Sequence, residues 1–89
     1  MQFRWIEWNS DHIAEHGVEP EEAEMVVRGA KQPFPIKIEE DKWLVKGRGI
    51  GGRFLQVIYL TDPDKTVFVI HARPLTEREK KQLRRRWKR

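Results

Sequence analysis

Hydrophobic and polar positions along this 89-residue chain follow two periods in succession, with turn residues between them. Phe3-Arg4-Trp5-Ile6 has the make-up of a short strand, and Trp5 and Trp8 are expected to anchor the core. Asn9 or Ser10 then caps a short helix that Gly17 ends. Glu19-Pro20 opens a second helix, with Glu21 and Glu22 at the positive end of its dipole and Ala23, Val26 and Val27 as its apolar stripe. Gly29 closes that helix, and Lys31 to Pro35 reads as a loop. From Ile36 the period changes to two. Ile36 and Ile38 alternate with Lys37 and Glu39, and after a turn at Glu40-Asp41, Trp43 and Val45 alternate with Leu44, Lys46 and Arg48. The most apolar stretch follows: Phe54 to Leu60 and Val67 to Ala72 read as a central hairpin, with Pro63 presetting φ in the turn Asp62-Pro63-Asp64-Lys65. Thr76 and Glu79 have capping-box spacing, so a third helix starts there.

Pairing residue 39 with 42 puts Ile36, Ile38, Trp43 and Val45 on one face and Lys37, Lys46 and Arg48 on the other. In the last strand, period-two geometry places Phe68, Ile70 and Ala72 on the core side and Val69, His71 and Arg73 on the opposite, cationic side. The pairing of the central hairpin has two solutions. With 61 opposite 66, Arg53 and Tyr59 fall on the core side; with a bulged turn and 62 opposite 66, they join His71 and Arg73. The expected fold class is α+β: a short N-terminal strand, two helices, a four-stranded mostly antiparallel sheet and a C-terminal helix.

The length allows one domain, residues 1–89. The absence of Cys excludes a disulfide scaffold, thiolate metal sites and Cys nucleophiles. With no apolar run long enough to span a bilayer and no leader-like segment, a soluble, cytoplasmic protein is expected, with no membrane partner. Charge changes the picture more. The net charge of +4 divides into +7 over residues 73–89 and −3 over the rest. A strongly basic end favours nucleic acid or an acidic protein as partner. Residues 76–89 offer only Leu83 and Trp87 for burial, so this basic C-terminal helix should be weakly packed.

Two short motifs carry less than they first suggest. His12-Ile13-Ala14-Glu15-His16 matches the H-x-x-E-H arrangement of zinc proteases. Gly17 ends the helix immediately, the chain is too small for that enzyme class, and no third ligand stands out; a helix end with His16 at the negative dipole terminus is the better reading. Lys46 to Arg53, KGRGIGGR, lies between two strands rather than between strand and helix, so it meets neither the dinucleotide nor the P-loop context. It reads as a hairpin loop flanked by two arginines. No cofactor and no metal site is implied.

The set that bears on function is Lys46, Arg48, Arg53, His71 and Arg73, joined by Lys37 and Tyr59 for contact with RNA. Cleaving RNA without a metal needs a base for the 2′-OH, cations for the phosphorane and an acid for the leaving 5′-oxygen. His71 can be acid or base near neutral pH, Arg73 and Arg48 can clamp phosphate, and Lys46 can stand in for the histidine. In the basic end, Arg84 and Arg85 offer charge and Trp87 a surface for base stacking.

With these residues in view, the chain resembles the BrnT family of toxins from type II toxin–antitoxin pairs. The resemblance runs through Trp8 with Asp11, His16-Gly17-Val18, Glu21-Glu22-Ala23, Gly47-Arg48, Gly52-Arg53, Ile70-His71-Ala72-Arg73, and Thr76 with Glu79. It implies a RelE-like ribonuclease fold within the RelE/ParE-like superfamily, an antitoxin that covers the site, and RNA cleavage. Arg48, Arg53 and Arg73 carry over; the family often has Ser where His71 stands, so a role for His71 comes from its chemistry alone. The expected function is a metal-independent endoribonuclease toxin with RNA and a cognate antitoxin as partners, the alternative a binding module for RNA or protein without catalysis.

Overall fold

The structure, a computed structural model, describes residues 1–88. Two helices, α1 (Glu7–Ala14) and α2 (Pro20–Arg28), precede four strands, β1 (Ile36–Glu39), β2 (Lys42–Arg48), β3 (Phe54–Thr61) and β4 (Val67–Pro74), and α3 (Glu77–Trp87) closes the chain. The strands form one antiparallel sheet in sequence order β1-β2-β3-β4, giving the expected α+β architecture. No described helix is long and apolar enough to cross a membrane.

One sheet face carries Val45, Gly47, Leu55, Val57, Tyr59, Val69 and Ala72, all buried. The stripe of α2 packs there: a Cβ on Gly47 would lie 3.5 Å from Val26 Cγ1. Pro20 opens α2 as expected, with Glu21 and Glu22 in its first turn. α3 returns over the other face, where Leu83 lines a cleft with Phe34, Ile36, Leu44 and Lys46.

Two β-bulges change the expected pairings. Glu39 does meet Lys42, but the register shifts at Ile38, so Ile36 faces Leu44 and Lys37 faces Trp43. Lys37 therefore sits on the side opposite Lys46, a correction to the simple alternation. In the hairpin, Thr61 pairs with Val67, and Asp62 donates its N–H to the Thr66 carbonyl at 2.9 Å, so the turn adopts the 62–66 solution. A second shift then moves the partner of β3 from Val69 at Tyr59 to His71 at Ile58, leaving Ile70 as the extra residue. Beyond it, His71 and Arg73 share a face with Ile58 and Gln56. The core side of β4 is thus Val67, Val69 and Ala72, and Phe68 belongs with the cationic side.

The N-terminal segment differs most from expectation. Phe3 forms a single parallel bridge to Val67 at the free edge of β4 rather than a strand. α1 begins two residues before Asn9, whose Oδ1 accepts the Ile6 N–H at 2.8 Å from inside the first turn. The Asn9 amide, fully buried, donates to the carbonyls of Arg4 (3.2 Å) and Val69 (3.1 Å), which fastens α1 along the β4 edge. Trp5 is half-buried, but Trp8 is 54% exposed and stacks against His12 and Phe68 instead of entering the core. Gly17, with φ +74°, terminates the segment in the left-handed region.

Candidate functional site

The site is built by cross-strand pairing on the face away from α2. Arg48 of β2 stands opposite Phe54 of β3, and its guanidinium lies 4.9 Å from the Phe54 ring centre. One step along, Lys46, Gln56 and Arg73 form a row across three strands. The next row is Leu44, Ile58 and His71. Residues paired across a sheet, and residues two apart along a strand, point the same way. Lys46, Arg48, His71 and Arg73 are therefore brought onto one face, centred on Gln56.

α3 supplies the anion. Both terminal nitrogens of Arg73 donate to Glu79, each at 2.9 Å, and Nε of Arg73 takes no partner among the described residues. The Glu79 carboxyl is held at about 2, first by the Arg73 hydrogen bonds and then by the Thr76 N–H. The same carboxylate closes the capping box: it accepts from Thr76 N at 2.9 Å, while Thr76 Oγ1 accepts from Glu79 N at 3.2 Å. Arg73 also reaches Gln56 Oε1 at 3.5 Å. With its oxygen turned that way, the Gln56 amide nitrogen donates to His71 Nε2 at 3.3 Å. That contact leaves the Nε2 lone pair as acceptor and places the ring proton on Nδ1. Burial pushes the His71 imidazole below its ordinary value, and the charges of Arg73, His16 and His12 add to the effect. Both effects disfavour the charged imidazolium of His71. Beside the row, Lys46 lines a cleft of about 430 Å³ with Glu79, Gln82 and Arg86 at its polar rim.

The other expected site residues lie elsewhere. Arg53 clamps Glu22 of α2: Nε donates to Oε2 at 2.9 Å and Nη2 to Oε1 at 2.5 Å, with a further bond to the Gly17 carbonyl at 2.7 Å. Glu22 is buried and also accepts the Ile50 N–H at 3.1 Å, so this arginine fastens the glycine-rich hairpin loop to α2. Its hydrogen bonds hold the Glu22 carboxyl below the usual carboxylate range despite burial. Tyr59 faces Val69 in the core, and burial raises its phenol. Lys37 pairs with Glu40 at 3.3 Å on the far side. Arg84 and Arg85 are exposed on α3. Trp87 is docked, its Nε1 donating to the Gln32 carbonyl at 3.0 Å with Lys31 over its ring and Phe54 beside it. Gln56 and Glu79, which the sequence reading did not assign to the site, tie Arg73 to His71. The available signal was Gln56 itself, the one amide inside the otherwise apolar run FLQVIYL.

A four-stranded antiparallel sheet in sequence order, two helices before it and one after, is also the architecture of a solved toxin. The 1.1 Å crystal structure of the Brucella abortus ribonuclease toxin BrnT matches this chain with a TM-score of 0.68, covering 86% of this chain and 99% of that one, at 22% sequence identity. The chain shares the BrnT fold. Neither the family models nor the curated proteins gave a match to the sequence. The BrnT-like fold places the Lys46–Gln56–Arg73 row on the sheet face beneath the last helix, with His71 and Arg48 to either side of it.

Proposed function

We infer that this protein is a metal-independent endoribonuclease of the toxin type, acting on RNA at the sheet face that carries Arg73. The observation that carries this reading is the row Lys46–Gln56–Arg73, which sets two cations beside a half-buried imidazole. The BrnT fold supports the same class. In the reaction, a ribose 2′-OH displaces the Gln56 amide from His71 Nε2, which takes its proton, and the freed oxygen attacks the adjacent phosphorus. Arg73, Lys46 and Arg48 hold the charge that gathers on the non-bridging oxygens. The phosphorus–O5′ bond breaks as the 5′-oxygen receives a proton, leaving a 2′,3′-cyclic phosphate and a 5′-hydroxyl. Glu79 holds the Arg73 guanidinium by both terminal nitrogens before RNA arrives. An antitoxin with an acidic segment would silence the protein by covering this face. Incubating the purified protein with total RNA in EDTA, beside Arg73→Ala, tests the reading. Cleavage by the first and not the second is expected; no cleavage, or equal cleavage by both, would overturn it.

A second reading, RNA binding without turnover, is favoured by one feature: in the free protein Glu79 already occupies both terminal nitrogens of Arg73. RNA affinity that falls steeply with salt, with intact RNA recovered, would select it.

A further inference from the structure

Cleavage of RNA at this face needs a group to protonate the leaving 5′-oxygen, and the assignment of that group rests on the ribonuclease reading. Three histidines are present in the chain, and α1 with the turn that follows it brings His12 and His16 toward His71. The His16 and His71 ring centres are 6.1 Å apart, edge to face at 61°. His12 is committed differently, stacked on Trp8 at 5.2 Å. The approach of His16 is not an accident of a loose end. Trp8 stacks on Phe68 and Asn9 bonds the β4 backbone in the first turn, and Ile13 is fully buried in the second, so contacts in both turns fix where α1 ends.

The two imidazoles have unlike surroundings. His71 lies on the sheet, half-buried, facing Gln56 from β3, Arg73 from its own strand and His12 and His16 from α1. Glu79 of α3 reaches it only through Arg73 and Gln56. His16 is exposed at the carbonyl end of α1, where a helix favours positive charge. One ring is partly enclosed and bonded to Gln56, and the other is open to solvent. Rings this close leave no room for a phosphorane between them, but a phosphate set against their open side can meet both, one imidazole bonding each apical oxygen. We propose that His16 is the general acid of this site, paired with His71 as general base. His71 removes the 2′-OH proton as the P–O2′ bond forms. The His16 imidazolium gives its proton to O5′ as the P–O5′ bond breaks. Each ring ends in the other's starting state, and the proton count balances. Solvent exposure of His16 lets it recover its proton from water between turnovers.

Two substrates distinguish an acid from a base and from a merely structural residue. One is a short RNA, whose leaving 5′-oxygen must be protonated. The other is a uridine 3′-aryl phosphodiester with a nitrophenol leaving group, which departs as the anion. His16→Gln should slow RNA cleavage about 10²-fold or more, yet cleave the aryl ester within a few-fold of the unsubstituted protein. His71→Gln should lose both. On RNA, the unsubstituted protein should show a bell-shaped pH profile whose alkaline limb disappears in His16→Gln. Equal loss on both substrates, or no loss on RNA, overturns the role of His16 while leaving the ribonuclease reading intact. If the unsubstituted protein cleaves neither substrate in EDTA, the ribonuclease reading falls and takes this one with it.

Discussion

Replacing Glu79 by Gln separates two tasks that one side chain performs. Gln keeps the capping-box geometry at Thr76, because an amide oxygen accepts the same N–H. What it removes is the charge facing Arg73. The carboxyl shifts from 4.5 to about 2 on folding, which as a bare linkage term is at most roughly 3 kcal/mol. The pair is not fully enclosed: the Arg73 and Glu79 side chains are 29% and 22% exposed, so solvent screening reduces the stabilisation to about 1 kcal/mol. The sign follows from the lowered folded-state value. The stabilisation is complete above about 4.5, the unfolded value, and is lost as pH falls toward about 2. Glu79→Gln should therefore cost about 1 kcal/mol at pH 7, less than half of that at pH 3, and nothing below pH 2. Urea denaturation of both proteins across that range measures it. A difference that is absent at pH 7, or that does not change down to pH 2, would refute the assignment of the shift to Arg73.

Arg53→Ala would leave the buried Glu22 carboxylate with the Ile50 N–H as its remaining partner, and should cost about 2–3 kcal/mol in denaturant midpoints. The double variant with Glu22→Gln should cost less than the sum of the two singles, while cleavage per folded molecule stays unchanged. Gly49→Ala places a Cβ 2.5 Å from Glu22 Oε2 and should destabilise by about 1–3 kcal/mol in the same assay, because the Arg53 clamp prevents Glu22 from yielding. Of α3 only Leu83 is fully buried, with Trp87 half-covered, so hydrogen exchange should be faster for amides 80–87 than for β3 and β4; equal protection would contradict a weakly docked helix.

Much of the architecture was legible because each element carries its own local signal. Pro20 after Glu19, the Thr76–Glu79 spacing and the apolar runs around Asp62-Pro63 state where helices and strands begin, and these hold. The faces were harder, because facing depends on pairing and pairing is decided between strands. A bulge is one residue long and leaves no compositional trace in IKIE or VFVIHARP. The bulge at Ile38 put Lys37 on the far side of the sheet. The one at Ile70 turned His71 and Arg73 away from the face that Tyr59 shares with Val69 and set Gln56 between Lys46 and Arg73. The fate of Arg53 was hidden for a different reason: its partner Glu22 lies 31 residues away, on a helix where an acidic first turn already had a sufficient local explanation. The exposed Trp8 shows the same limit, since the Asn9–Val69 bond together with buried Ile13 fixes how α1 lies on the sheet.

Cleavage of RNA at the Arg73 face would run through the substrate's own 2′-oxygen. The most direct measurement uses one short RNA and a copy carrying a single 2′-deoxy nucleotide at the cleaved position, both in EDTA, with the unsubstituted protein, Arg73→Lys and Arg73→Ala. The all-RNA substrate should be cleaved to a 2′,3′-cyclic phosphate, with no cleavage at the deoxy position, a strong loss in Arg73→Lys because a point charge cannot reproduce the guanidinium fork, and no activity in Arg73→Ala. Cleavage at the deoxy position, or undiminished activity in Arg73→Ala, would contradict it.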